Sequence, residues 1–168
     1  MKSPDADPVQ LAAAVSNVVH QHKSQKHIVV YSTNAVYSDA FKAHQDMRRM
    51  VAREVTREIL VTDLLNHQCI AATAERGVHG FEIERDVVTE NFKLGEGKTK
   101  AKMVMNYTFP ACVLSVPENK LILFGVNTLA AYQQACTDGA YAVMVDSPAF
   151  FYKNLSLDHD DCIVTLIG

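Results

Sequence analysis

The chain has 168 residues, of which 48% are hydrophobic and 21% charged, and its net charge is -3. That composition supplies one substantial core, the size of a single globular domain over 1–168, and excludes both a disordered chain and a globally basic nucleic-acid binder. The opening MKSPDADPVQ has acids and prolines where an export signal needs a basic start and an apolar run. Runs such as LILFGV and AYAVMV fall short of the roughly 18 residues that span a bilayer, so the expectation is a soluble, cytoplasmic chain.

Asp7 ahead of Pro8, with Gln10 three residues on, predicts a capped helix that runs to about His22 and buries Leu11, Val15, Val18 and Val19. HIVVYST, from His27, reads as the first strand. Ser38 and Asp39 offer caps for a second, longer helix reaching Leu64 or Leu65, with Phe41, Met47, Met50, Val51, Val55 and Ile59 on one side. In NHQCIAATAERGVHG, Gly77 and Gly80 mark a turn, and CIAAT fits a short strand or more helix.

From Phe81 the pattern alternates: Phe81 and Ile83 against Glu82 and Glu84. A turn at Gly95–Gly97, strand character in KAKMVMNYTF, and PENK between VLSV and LILFG together predict an antiparallel meander. Asn127 or Thr128 then caps a helix ended by Gly139, which makes LILFG and AYAVMVD the two parallel strands of a strand-helix-strand unit. After the loop SPAFFYKNLSLDHDD, CIVTLI is the last strand. The expected fold is mixed α+β: a single mixed sheet with an antiparallel meander and one strand-helix-strand unit, helices packed on it.

Cys69, Cys112, Cys136 and Cys162 lack the paired spacing of zinc sites and read as reduced core thiols. Gly97, Lys98 and Thr99 match the end of a phosphate-binding loop, and Gly95–Thr99 resembles the GEGKT of protein-translocating motor ATPases. That resemblance implies Lys98 and Thr99 on phosphate, with Asp146, at the end of AYAVMVD, on magnesium. Phe92 stands where the loop's first glycine belongs, and no helix follows. A β hairpin explains the same residues, with Leu94 opposite Lys98 and Glu90 opposite Lys102.

Glu82, Glu84 and Asp86 share one strand face and form a candidate oxygen-ligand metal site, against a solvated charged face. Arg49, Arg53 and Arg57, spaced by four, would stack in one helical row and suit an anion or a nucleic-acid backbone, although Asp46 and Glu54 can pair locally. His44, His67, His79 and His159 lack ligand spacing; any could act as a general base. The sequence favours a non-catalytic assembly or binding and regulatory protein, a homo-oligomer subunit using the charge-complementary hairpin from Phe81 to Phe109. It implies no cofactor, with self-association or a protein partner and no membrane. The alternative is a small phosphate- or nucleotide-handling enzyme using the Gly-Lys-Thr loop; the third reading is a nucleic-acid binder.

Overall fold

The computed structural model describes residues 5–87, 90–92, 95–97, 101–104, 108–155 and 165–167, with the backbone alone for 85–104 and 165–167 of these. Helix α1 (Pro8–Gln21) starts where its signals place it, with the Asp7 carboxylate accepting from the Gln10 N–H at 2.9 Å. Its buried side is Ala12, Ser16 and Val19, which pack with Val30, Phe41 and Met47; Val18 faces solvent. Strand β1 is Val29–Val30.

The single long helix expected between Ser38 and Leu64 is not formed. Asn34 caps a short α2 (Ala35–Ala40), a 3-10 turn covers Phe41–Ala43, β2 is Arg48–Arg49, and α3 is Arg53–Asn66. Met50 donates to the Val30 carbonyl at 2.9 Å, and Val51 donates to the Val78 carbonyl at 2.7 Å. This segment is therefore a sheet strand covered on both faces, and such burial leaves apolar spacings that imitate a helical stripe.

A 3-10 turn at Ala71–Thr73 leads to β3 (Val78–Glu82). Next come β4 (Glu84–Val87), β5 (Glu90–Phe92), β6 (Gly95–Gly97) and β7 (Ala101–Val104). They are followed by α4 (Thr108–Leu114), β8 (Lys120–Phe124), α5 (Leu129–Thr137), β9 (Ala142–Met144), α6 (Pro148–Asn154) and β10 (Thr165–Ile167).

The main sheet has the order β10-β9-β8-β3, parallel throughout, and a parallel Met50–Val78 bridge joins it to the parallel pair β1-β2. Six parallel strands thus follow one another in chain order, as in the wall of a (β/α) barrel. The expected antiparallel meander is absent from this layer. Among the described residues antiparallel pairing is confined to two short two-stranded ladders, β4-β7 and β5-β6, in which Asp86 faces Lys102 and Glu90 faces Gly97. The hairpin with Leu94 opposite Lys98 and Glu90 opposite Lys102 is not formed in that register; Leu94 and Lys98 lie outside the described residues.

Residues that read as strand at TFPACVL form α4 instead. Pro110 sits in its first turn, where a missing N–H costs nothing, and the Thr108 hydroxyl donates to the buried Asp63 carboxylate of α3 at 2.7 Å. PENK is a helix-to-strand connection: buried Asn119 accepts from the Gly77 N–H and donates to the Val113 carbonyl, both at 3.0 Å. Cys112 is disulfide-bonded to Cys69, with Cα atoms 5.4 Å apart, and Cys136 is also disulfide-bonded; Cys162 lies outside the described residues. The reading of reduced core thiols is corrected accordingly.

One face of the sheet carries Phe81, Leu121, Leu123 and Val143 into a core with Ile59 and Leu60 of α3, Phe109 and Val113 of α4, Tyr132 of α5 and Phe151 of α6. The opposite face carries Met50, Val78, Ile122 and Ala142, with Val29, Tyr31 and Phe124 against them. Gly80 points to this second face, where a Cβ would run into Met50 Cε and Phe124 Cζ. Gly80→Ala should therefore destabilise the fold by about 1–3 kcal/mol through overpacking, measured as a lowered urea midpoint with unchanged slope.

Candidate active site

Parallel pairing brings the carboxyl ends of all the strands to one edge of the layer, where ligand sites of such sheets form. A cleft of about 280 Å³ lies there. Tyr31 and Thr33 follow β1, Gly80, Phe81 and Glu82 end β3, and Phe124 and Met144 end β8 and β9. Arg53, Thr56 and Arg57 enter from the first turns of α3.

The cleft has a charged side and an aromatic side. Arg53 and Arg57 are one helical turn apart, and Glu82 is the carboxylate among the lining residues. Ala52, the α3 N-cap, gives no side-chain hydrogen bond to the first-turn amides. Tyr31 stands among these charges: burial raises its phenol pKa, Arg53 lowers it and Glu82 raises it again, so the net direction is up and the hydroxyl keeps its proton. Tyr31 meets Phe124 edge-on, ring centroids 5.7 Å apart. Below the charged side, the Thr56 hydroxyl lies 3.3 Å from His79 Nδ1. His79 is fully buried, and burial pushes its pKa down against the opposing pull of Asn119 and Glu75 beside the ring.

The structure separates several residues that the sequence grouped. Of the arginine row, Arg53 and Arg57 line the cleft, while Arg49 lies on β2 and pairs with Glu75. Of the carboxylates, Glu82 lines the cleft, Glu84 begins β4, and the Asp86 side chain lies outside the described residues. No group of three metal-ligating side chains occurs among the described residues. Gly97 ends β6, Lys98 and Thr99 lie outside the described residues, and Asp146 is held by Asn127 through two hydrogen bonds of 2.7 and 2.9 Å, away from the cleft lining. Tyr31, Thr33, Thr56, Phe124 and Met144 were not singled out by any motif; the only signal was their place at strand ends or at the start of a helix.

No family model matches the chain. It is 34% identical over 143 residues to uncharacterized protein Rv2277c of Mycobacterium tuberculosis (strain ATCC 25618 / H37Rv), covering 84% of this chain and 48% of that protein. Uncharacterized protein MT2337 of strain CDC 1551 / Oshkosh is equally similar, with 47% of its length covered. The chain spans about half the length of the curated relatives it matches. Among solved structures it is similar to the glycerophosphoryl diester phosphodiesterase domain of Rv2277c, with a TM-score of 0.73, 32% identity, and 86% of this chain and 55% of that one covered. This likeness to an enzyme domain overturns the expectation of a non-catalytic structural protein built on a β hairpin. The absence of local catalytic motifs carried that expectation, and it is blind to a site assembled from strand ends. No helix among the described residues is long and apolar enough to cross a membrane.

Because burial disfavours the charged imidazole, His79 is neutral in the fold, whereas an unfolded histidine takes up a proton near pH 6.5. The unfolded chain then binds more protons, so stability is full above about pH 6.5 and falls as the pH drops below it, by up to about 1.4 kcal/mol per pH unit until the folded group titrates. Urea unfolding between pH 5 and 7.5 should show this slope, and His79→Gln should flatten it.

Proposed function

We propose that the chain binds and hydrolyses phosphoric diesters in the cleft at the carboxyl edge of the parallel layer, acting on a glycerophosphoryl diester like the domain it resembles. The observation that carries the reading is the pair Arg53 and Arg57, one turn apart on α3 and opening onto Glu82 in that cleft. Guanidinium forks match phosphoryl oxygens and keep their charge, so this pair suits a diester monoanion and the further negative charge that grows as water attacks phosphorus. Glu82 is the group placed to take the proton of the attacking water, while the P–O bond to the leaving alcohol breaks. Tyr31, held protonated, is placed to supply a proton to the leaving oxygen.

Glu82 and Glu84, two residues apart, offer carboxylate oxygens of the kind Mg²⁺ or Ca²⁺ takes, and such an ion would supply positive charge beside the phosphate. As for compartment, the cytoplasmic expectation rested on the opening residues and on cysteines read as reduced. The disulfides at Cys69–Cys112 and Cys136 favour an oxidising environment instead.

Hydrolysis of glycerophosphocholine and of bis(p-nitrophenyl) phosphate, assayed with added Mg²⁺, Ca²⁺ or chelator, tests the activity. Glu82→Gln should lower kcat by about 10²–10⁴-fold. Arg57→Met should lower kcat/KM by about 10²–10³-fold. A folded protein that neither binds nor cleaves either diester would overturn the reading.

Alkylation of the unreduced, denatured protein should leave Cys69 and Cys112 unlabelled. Cys69→Ser should cost about 2–4 kcal/mol of stability.

A further inference from the structure

Thr56 is placed oddly for a packing residue. It is 1% exposed, yet it borders the cleft between Arg53 and Arg57, and in a purely apolar role valine would serve with no hydroxyl to desolvate. Residues i, i+3 and i+4 share one helix face, so Arg53, Thr56 and Arg57 present a cation, a hydroxyl and a cation side by side. A threonine inside a helix commonly turns its hydroxyl back to a carbonyl of the preceding turn; Thr56 Oγ1 instead lies 3.3 Å from His79 Nδ1.

His79 is an equally odd choice on β3. It is fully buried, with Thr56 Oγ1 at Nδ1 and Asn119 and the Glu75 backbone beside the ring, so polar partners are committed to a site where an apolar side chain would need none. A neutral ring carrying its single N–H on Nδ1 would donate to Thr56 Oγ1. In that tautomer the hydroxyl hydrogen of Thr56 would be left for a ligand in the cleft that Thr56 lines.

We propose that Thr56 is a third donor to the bound phosphoryl group, between the two guanidiniums, and that His79 is its positioning residue, fixing the hydroxyl rotor from within the core. This rests on the phosphodiester reading of the cleft. A neutral donor between the two guanidinium forks adds a third fixed direction to the hydrogen bonds that orient the phosphoryl group.

The test measures binding of inorganic phosphate by isothermal titration calorimetry, and kcat and KM with bis(p-nitrophenyl) phosphate, on variants whose melting temperatures confirm folding. Thr56→Val should weaken phosphate binding by at least about tenfold, the loss of one hydrogen bond to a charged group, while Thr56→Ser should stay within about twofold of wild type. Thr56→Ala replaces the valine variant if that variant does not fold. His79→Phe should weaken phosphate binding in the wild-type background and change nothing further in the Thr56→Val background, since the histidine acts through the hydroxyl. Thr56→Val binding phosphate as wild type does, while Arg57→Met loses it, would overturn the inference and leave the diester reading standing. His79→Phe having the same effect in both backgrounds would overturn the positioning role. A folded wild type that binds neither phosphate nor the diester would remove the parent reading itself.

Discussion

Parallel pairing of β3 with β8, Val78 opposite Lys120 through Glu82 opposite Phe124, is the constraint on which the rest of the molecule depends. Two parallel neighbours cannot be joined by a tight turn, so the chain must cross back over a face of the sheet before it re-enters. The segment from Glu84 to Asn119 makes that return, and α4 is the part of it that covers the core. Repeated at β8-α5-β9 and β9-α6-β10, the same constraint puts helices on one face and all the carboxyl ends on one edge. The cleft is a consequence of that direction rather than of any local motif.

The return path is held by contacts of high sequence separation. Asp63 of α3 accepts from Thr108 at the head of α4, the Cys69–Cys112 bridge ties α4 to the turn before β3, and Asn119 binds both the end of α4 and the start of β3. These fasteners surround β3, which carries Glu82 at its end and His79 in its middle. The helix that supplies Arg53 and Arg57 is the one that α4 is fastened to, so the charged side of the cleft and the strand opposite it share one rigid frame. Rigid elements hold the geometry of a charge site more closely than loops do.

Gly80 and Phe124 give the cleft its second side. The missing Cβ of Gly80 leaves room for the Phe124 ring and the Met50 methyl across β3, and Tyr31 closes on the ring edge. A small site with cations at one wall and aromatics at the other can hold a charged ester and its organic substituent together, which is the division of labour common in ligand pockets.

Much of the local structure was legible in the residues. Asp7 and Pro8 start α1, Thr128 caps α5 by accepting from the Ala131 N–H, and Phe81 and Ile83 turn to the core while Glu82 stays outside. The misreadings share a cause. Met47, Met50 and Val51 repeat at helical spacing, although the chain there is a buried strand, and TFPACVL has strand composition, although its proline, its partner Asp63 and its disulfide make it a helix. In both cases tertiary contacts outweighed a weak local preference. The candidate residues Arg53, Arg57 and Glu82 could be named from spacing and charge, because one turn of helix and the ends of strands leave a local imprint.

Local pattern was enough for the start of α1, the cap and end of α5 and the alternation at β3, and it marked Glu82 and an arginine row of which two members lie on α3, whereas the caps read at Ser38 and Asp39 and the loop read from Pro148 gave way to α2 capped by Asn34 and to α6. The parallel pairing of the main strands, the Cys69–Cys112 bridge, the Thr56–His79 contact and the shared cleft of Arg53, Arg57 and Glu82 came only with the folded arrangement. Each of these joins residues far apart in the chain, and neither propensity nor periodicity, which act over a few residues, carries information about which distant partner a side chain will meet.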